Sequence, residues 1–377
     1  MIHLILTAFL SQSAPAPSAP VVPTPSVVGL DPSQPVLVEY DLQAIQCGGA
    51  AIAPVTRVQP NVATAYSRPA ALGPYTIRFR IDASGRPVTI GVPTSSEKWD
   101  TGSSDLVPAL AAMRFPAGAA REGCEVTVTA RTIPIDVAPI ALLHRAYSLP
   151  HERGFGDAAM QKRLSAAYAS CRTPKAPGVL NRAFPDFDRI PQAPSTSSYA
   201  VVGFDIDDGG KPARARILSS DGNAALDAAA VQAVRDSRFS GGARTGCSYP
   251  YYRRQSAAVA PPPMPDLDAY RAADAHCDKD TAWELPPRMS YPEPFRRRAI
   301  EGWAIIGYDV APWGQTGNLK VLASEPAAAF GTAAESIVRQ ARQKPSAQGA
   351  SGCVDRVVFK LPAGGSQGAV ADAATVE

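Results

Sequence analysis

The sequence lacks the features that mark several large classes of protein. Its formal net charge is only +3, so no electrostatic surface for nucleic acid is indicated. No apolar run approaches the roughly 20 residues that a membrane-spanning helix needs. Only four histidines occur, no two of them at metal-ligand spacing, and neither a serine nucleophile elbow nor a glycine-rich phosphate loop is present. The sequence therefore predicts no nucleic-acid, metal or cofactor binding.

One short motif suggests catalysis. Trp99 to Ser104 reads Trp-Asp-Thr-Gly-Ser-Ser, which is similar to the active-site loop of aspartic proteases. That chemistry needs two carboxylates that share a proton, and the sequence has no second Asp-Thr-Gly or Asp-Ser-Gly. We therefore interpret Asp100 as part of a turn that leads into a helix. A hydrolase with an unrecognised site is the most distant alternative.

The two ends of the chain have distinct compositions. Residues 1–13 contain the apolar run Leu4 to Leu10 and then Ser-Gln-Ser, which predicts a signal peptide. No Lys or Arg precedes the run, so an uncleaved anchor that tethers the protein to a membrane, or a wrongly assigned start, stays open. Residues 14–35 are rich in Pro and Ala, the composition of an extended linker. Residues 363–377 predict a disordered tail.

The six cysteines supply the strongest quantitative signal. They are Cys47, Cys124, Cys171, Cys247, Cys277 and Cys353. Taken in order, the members of the three pairs are separated by 77, 76 and 76 positions. An even number of cysteines in an exported chain suggests disulfides, and the repeated spacing predicts sequential pairing. The alternative is six buried thiols in a cytosolic protein.

The chain contains three copies of one plan, over residues 36–134, 157–254 and 266–362. After its first cysteine each copy has a loop, a hairpin, a helix, a Gly-Cys pair and a last strand. Period-two alternation predicts the first hairpin strands. Helices are expected at five places, and Asp105 can cap the first of them. The strands cover 75–81, 199–206 and 304–310, and the helices 105–115, 158–170, 223–237, 268–276 and 332–343. The sequence thus predicts an α+β fold of three tandem small modules, each an antiparallel hairpin plus a helix plus a third strand, with one disulfide per module.

The third copy carries a family resemblance. Tyr291-Pro292 precedes a short basic helix, and Glu301-Gly302 opens a strand that runs to Val310. In these features the copy resembles the carboxy-terminal domain of TonB-type energy transducers. The second copy has Phe184-Pro185 in place of Tyr-Pro, and the first lacks both pairs. The resemblance implies a small sheet of about three antiparallel strands with two helices on one face, a location in the cell envelope, and binding by strand addition to a sheet edge.

The resemblance also has departures. The third copy has Lys344 where we expect the counterpart of Phe115 and Phe239. Transducers of the family carry a full-length membrane anchor, whereas this chain has only a short apolar start, and paired cysteines are not part of the family's general pattern. Energy coupling therefore does not follow from the resemblance.

Two further clusters are candidate binding surfaces. Arg296-Arg297-Arg298 is expected to be a solvated helix face, with docking of an acidic partner or peptidoglycan as the sharper hypothesis. The cluster from Tyr249 to Arg254 is either an aromatic and basic binding surface or packing on the last strand of the second copy.

The favoured function is an exported, non-enzymatic protein-interaction protein of the periplasm, with a link to energy-coupled transport through outer-membrane receptors as its finer form. The alternative is an envelope structural protein that binds peptidoglycan or lipoprotein and has no transport role.

Overall fold

The computed structural model describes residues 35–65, 72–95, 103–149, 158–255, 257–277 and 283–362. Within those ranges the chain has an α+β fold of seven α-helices and 18 strands, arranged as three modules in chain order. The predicted signal segment, nearly all of the predicted linker, Asp100 and the predicted tail lie outside the described residues.

Module 1 has the largest sheet. Its elements are β1 (Val36–Leu42), β2 (Ile45–Cys47), β3 (Ala50–Ile52), β4 (Ala63–Ala65), β5 (Tyr75–Ile81), β6 (Pro87–Val88), β7 (Thr94–Ser95), α1 (Leu106–Ala112) and β8 (Arg121–Pro134). The predicted hairpin, helix and last strand are β5–β6, α1 and β8. Strands β1 to β4 are an addition that the sequence pattern did not predict. One face of β5 is buried through Tyr75, Ile77, Phe79 and Ile81, as period-two alternation requires.

Helix α2 (Ile140–Ser148) follows module 1, and module 2 begins with α3 (Ala158–Ala167) and α4 (Ala169–Arg172), which carries Cys171. After these helices, module 2 follows the predicted plan. Module 2 contains β9 (Gly178–Asn181), β10 (Ser198–Ile206), β11 (Pro212–Ser220), α5 (Ala224–Asp236), β12 (Arg238–Ser240) and β13 (Arg244–Arg253). Its main sheet has the order β11-β10-β13. The Asn223 side chain accepts a hydrogen bond from the Leu226 N–H and caps α5, which confirms the predicted helix start.

Module 3 repeats the arrangement of module 2. It contains β14 (Trp283–Leu285), α6 (Glu293–Arg297), β15 (Gly302–Val310), β16 (Thr316–Glu325), α7 (Ala328–Gln340), β17 (Arg342–Gln343) and β18 (Ala350–Phe359). The main sheet has the order β16-β15-β18, and β14 pairs with β17, just as β9 pairs with β12 in module 2. All of these strand pairs are antiparallel.

One turn contact recurs in all three modules. A glycine with positive φ in the hairpin turn lies against the backbone that follows the module's helix, and its carbonyl accepts a hydrogen bond from that backbone at 2.8 to 2.9 Å. The pairs are Gly85 with Phe115, Gly210 with Phe239 and Gly314 with Gln343. A Cβ atom on any of these glycines would lie 1.9 to 2.1 Å from the facing carbonyl oxygen, so only glycine fits. The recurrence of this contact supports three copies of one fold.

The Gly-Cys pairs open the last strands. Gly123, Gly246 and Gly352 have φ values of 60°, 65° and 69°, and the strand register shifts beside each of them, as at a β-bulge. The following cysteine forms the disulfide of its module, which confirms the sequential pairing. The bridges are Cys47–Cys124, Cys171–Cys247 and Cys277–Cys353.

Modules 1 and 3 share one hydrophobic core, although module 2 lies between them in sequence. Ile90 of module 1 is buried in that core, and its backbone bonds to module 3. Its N–H donates to the Pro326 carbonyl at 2.9 Å, and its carbonyl accepts from the Ala328 N–H at 2.9 Å. Module 2 has a core of its own.

Three local expectations were wrong. Residues 268–276 do not form an α-helix: a short 3-10 turn, Leu267–Tyr270, is followed by extended chain, because the disulfide at Cys277 and the backbone bonds of His276 hold this stretch beside β18. Helix α7 lies several residues before the predicted range 332–343, because residues 342–343 form β17. The counterpart of Phe115 and Phe239 is Gln343 rather than Lys344, because the chain turns into β17 immediately after α7.

Candidate functional site

Tyr291 packs against the hydrophobic core of module 3. Its hydroxyl donates to the Ile300 carbonyl at 2.7 Å, and its ring makes edge contacts with Phe330 and Phe359. Burial raises the pKa of the Tyr291 hydroxyl, and the nearby Glu301 adds to the effect. Pro292, next in the motif, is the residue from which α6 begins. The Tyr-Pro pair thus joins α6 to the core.

The Glu301-Gly302 pair is also held by tertiary contacts. A Cβ atom at Gly302 would lie 2.6 Å from Phe330 and 2.7 Å from the Glu325 carbonyl oxygen, so the site admits only glycine. The Glu301 side chain accepts from the Leu361 N–H at 2.9 Å, beyond the end of β18. The four motif residues therefore fix the start of β15 against α7 and β18.

The arginine run does not form a uniformly solvated face. Arg296 and Arg297 pair with Glu293, but the Arg298 side chain is only 8% exposed. Its guanidinium donates twice to the Asp105 carboxylate, at 2.5 Å for each bond. Asp105, expected to cap α1, makes no cap bond, because its carboxylate serves this ion pair between modules 3 and 1.

The tyrosine cluster packs mainly against module 2, as the simpler hypothesis held. Tyr249 and Tyr251 contact each other with ring centres 4.8 Å apart, and Arg182 lies over Tyr249 at 4.1 Å. The Tyr251 hydroxyl donates to the Ala183 carbonyl, and burial raises the pKa of Tyr251 to about 12. The exposed aromatic of the cluster is Tyr252.

His144 is a buried polar residue that sequence reasoning did not single out for a role. It lies on α2, is 5% exposed, and contacts Ser219 through Nδ1 at 2.9 Å. Its Nε2 lies 2.8 Å from the Tyr168 hydroxyl. Burial lowers the pKa of His144 to about 4, because desolvation penalises the imidazolium. His144 thus joins the helices after module 1 to the module 2 sheet as a neutral ring.

Module 3 replaces an aromatic pair with a polar one. In modules 1 and 2 the ring pairs are Phe79–Phe115 and Phe204–Phe239, with centres 6.3 and 5.4 Å apart. In module 3 the corresponding residues are Tyr308 and Gln343, which hydrogen-bond at 3.4 Å. The Tyr308 hydroxyl also donates to Asp355 of β18 at 2.6 Å, and burial raises the pKa of the Asp355 carboxyl. The sequence shows this exchange only when Gln343, and not Lys344, is aligned with Phe115 and Phe239.

Metal-ligating geometry is not found in the described ranges: no group of three His, Cys, Asp or Glu side chains lies close enough to hold an ion. His276, the histidine next to a cysteine, pairs through its backbone with Ser351 of β18. In the same ranges no helix has the length and apolar character to span a membrane.

The outer edges of the three last strands differ. In module 1 the edge of β8 opposite β5 is paired with β1 and β2. In module 2 the edge strand β13 contains Pro250, which has no N–H, and its start is bonded by Ser170, whose hydroxyl donates to the Thr245 carbonyl. In module 3, the outer-edge backbone bonds of β18 to other described residues are those of Ser351 with His276, and the Arg356 side chain bonds to the Pro265 carbonyl. Among the described residues, no strand pairs with β18 between Val354 and Phe359 on that edge.

Comparison with known proteins identifies one family over two segments of the chain. The family model of the Gram-negative bacterial TonB protein C-terminal domain matches residues 195–251 and 287–361, which correspond to modules 2 and 3. A search of curated proteins found no match. Module 1 has the shared turn contact and disulfide but lies outside the family match. TonB C-terminal domains are periplasmic, envelope-associated and non-enzymatic. Modules 2 and 3 of this chain belong to the TonB C-terminal domain family.

Proposed function

We propose that this chain is a non-enzymatic periplasmic protein that binds an extended segment of an envelope protein along the outer edge of β18. The observation that carries the proposal is the contrast between the three last strands. Among the described residues, only β18 has an outer edge that is neither paired over its length nor interrupted by proline. Family membership of module 3 supports a protein partner.

Module 1 contains an intramolecular example of the proposed binding. Strand β1 pairs antiparallel with β8 from Val36–Pro134 to Leu42–Val128, and β2 continues along the same edge to Cys47–Cys124. An extended segment can therefore lie along the last strand of this fold without disturbing the hairpin on its other side. The main-chain bonds of such an added strand supply affinity, and alternate side chains supply specificity.

The backbone direction at β18 follows from module 2. Pro250 and Arg356 occupy equivalent positions, each three residues after the second cysteine of its module. A proline within an edge strand directs its nitrogen away from the sheet, because the neighbouring strand would otherwise lose a hydrogen bond. The Arg356 N–H is therefore expected to point outward, where an added strand would accept it.

The partner we propose is an extended periplasmic segment of an outer-membrane receptor, which would link the chain to energy-coupled transport. A structural role in the envelope, through peptidoglycan or lipoprotein binding without transport, is the second candidate. Arg296 and Arg297 favour an acidic contact in either case, since their side chains stay 39% and 24% exposed.

Fluorescence polarisation measures the binding of labelled receptor segments to three proteins, namely the parent, Arg356→Pro and Arg356→Ala. Both variants lose the side-chain bond from Arg356 to the Pro265 carbonyl, so they differ in the backbone N–H. We expect Arg356→Pro to weaken binding about tenfold or more, the effect of one lost hydrogen bond and a steric clash. Arg356→Ala should stay within about threefold of the parent, less than half of that free energy.

Equal binding by Arg356→Pro and Arg356→Ala would contradict strand addition at β18. A scrambled segment that binds as well as the native one would contradict recognition of a sequence by alternate side chains. Retention on purified peptidoglycan, with no binding to any receptor segment, would favour the structural role.

A further inference from the structure

A cavity of about 720 Å³ lies where the three modules meet. One wall is the stretch 56–59 of module 1, the opposite wall comes from module 2 around Asp221, and Arg298 of module 3 closes the remaining side. Small-molecule sites typically have volumes of roughly 300 to 1,000 Å³. The cavity is thus large enough for a ligand of one or two sugar rings.

The charged side chains that line the cavity differ in whether they have an ion-pair partner. Four arginines and one aspartate line the cavity. Three of the arginines have carboxylate partners: Arg298 with Asp105, Arg145 with Glu39 and Arg297 with Glu293. Arg57 has no carboxylate within ion-pair distance among the described residues, and one of its N–H groups donates to the Leu42 carbonyl at 2.7 Å. Among the described residues, Arg57 and Asp221 are therefore the two charged side chains of the cavity that have no ion-pair partner.

The wall that holds Arg57 also presents an uncommitted polar group. Val58 is buried while Arg57 and Gln59 are exposed, because alternate side chains of an extended segment point in opposite directions. Within the described part of the chain, the Gln59 side chain has no hydrogen-bond partner. Its amide can both donate and accept hydrogen bonds.

This wall is fixed before any ligand arrives. The backbone of Thr56 exchanges two hydrogen bonds with Arg114, at 3.1 and 3.2 Å. The Gln59 carbonyl accepts from Arg298 at 3.0 Å, and the Pro60 carbonyl accepts from Arg145 at 2.9 Å. A preformed wall reduces the ordering cost of binding. On the facing wall, Asp221 accepts from the Tyr199 N–H through one oxygen at 3.1 Å and can accept from a ligand hydroxyl through the other.

The geometry points to a binding site for a sugar acid, a carbohydrate that carries one carboxylate. Arg57 would take the carboxylate, since charge-assisted guanidinium–carboxylate bonds are the strong ones. Gln59 and Asp221 would take hydroxyl or amide groups. This site is separate from the β18 edge. Because it lies between the modules, a bound sugar acid would stabilise the contact of module 1 with modules 2 and 3.

The test compares N-acetylmuramic acid with N-acetylglucosamine, which has the same ring and acetamide but lacks the lactyl carboxylate. Binding to the full chain is measured by isothermal titration calorimetry, with glucuronic acid as an acid that does not derive from peptidoglycan. We expect the parent to bind N-acetylmuramic acid about tenfold or more tighter than N-acetylglucosamine, the effect of one charge-assisted hydrogen bond. Tighter binding of glucuronic acid would place the natural source among uronic-acid polysaccharides.

Arg57→Gln should abolish the preference for the acid while leaving the weak binding of N-acetylglucosamine unchanged. Arg216→Gln, at an exposed arginine of β11 that does not line the cavity, should leave both affinities unchanged. Gln59→Ala, which keeps the guanidinium, should weaken both sugars while the preference for the acid persists. The proposal is overturned if neither acid binds at millimolar concentration, if the acid and the neutral sugar bind equally to the parent, or if Arg57→Gln retains the preference.

Discussion

Protonation of His144 should weaken the contact of α2 with β11 and with Tyr168. The ring is buried between Ser219 and Tyr168, and its pKa is lowered to about 4 from the ordinary value of 6.5. The unfolded chain binds this proton near pH 6.5 and the folded chain only near pH 4. Stability from His144 is therefore fully present above pH 6.5 and is lost as pH falls through that window.

The magnitude follows from the two pKa values. One pKa unit corresponds to about 1.4 kcal/mol, so the full window is equivalent to about 3 kcal/mol. Between pH 7 and pH 5 the linkage relation gives a loss of about 2 kcal/mol from this residue alone. Carboxylates also titrate below pH 5, so the comparison is made at pH 5 and above.

Two measurements test the predicted pH dependence of His144. Imidazole NMR resonances, followed from pH 7.5 to 3.5, should show one histidine with a midpoint near pH 4 that disappears in His144→Gln. Urea unfolding at pH 7 and pH 5 should show a loss that is about 2 kcal/mol larger for the parent than for His144→Gln. His276→Gln, at an exposed histidine, is the matched control and should behave as the parent. If every histidine titrates near pH 6.5, or if His144→Gln loses as much stability as the parent, the reasoning is refuted.

Two further predictions concern the contacts that join the modules. Asp105→Asn leaves the Arg298 charge buried without its partner and should lower the free energy of unfolding by about 3 to 5 kcal/mol, measured by urea unfolding. Arg296→Gln, at an exposed ion pair, should cost less than about 1 kcal/mol, and equal effects would contradict a buried bridge. Gly302→Ala should cost about 1 to 3 kcal/mol by overpacking, measured by thermal unfolding. Gly317→Ala, where a Cβ meets nothing within 4 Å, is the control, and a similar cost there would contradict the packing account.

Much of the fold could be predicted because it depends on local chemistry. The near-equal spacing of the cysteines predicted the three disulfides. Period-two alternation identified the first strand of each hairpin, and the helix expected at 223–237 contains α5, since both patterns are set by residues that are close together in sequence. The helix predicted at 268–276 was wrong. The conformation of this stretch depends on the Cys277–Cys353 disulfide and on pairing with β18, which is distant in sequence.

The candidate sites depended on tertiary structure. The Arg296-Arg297-Arg298 run gives no sign that its last member is buried, because that burial requires Asp105 of module 1, 193 positions earlier. The cavity beside Arg57 is formed by segments from all three modules, so no segment shows it alone. The resemblance of module 3 suggested strand addition but could not select among three last strands.

The sequence by itself predicted three tandem modules, their disulfides and the family of the third, because cysteine spacing, strand alternation and short motifs can be read directly from the order of the residues. Only the tertiary structure decided which last strand has no described strand paired along most of its outer edge, that modules 1 and 3 share a core, and that the Tyr291, Pro292, Glu301 and Gly302 motif is packing. Those outcomes depend on which surfaces the modules bury against one another, and that burial arises from residues far apart in the chain.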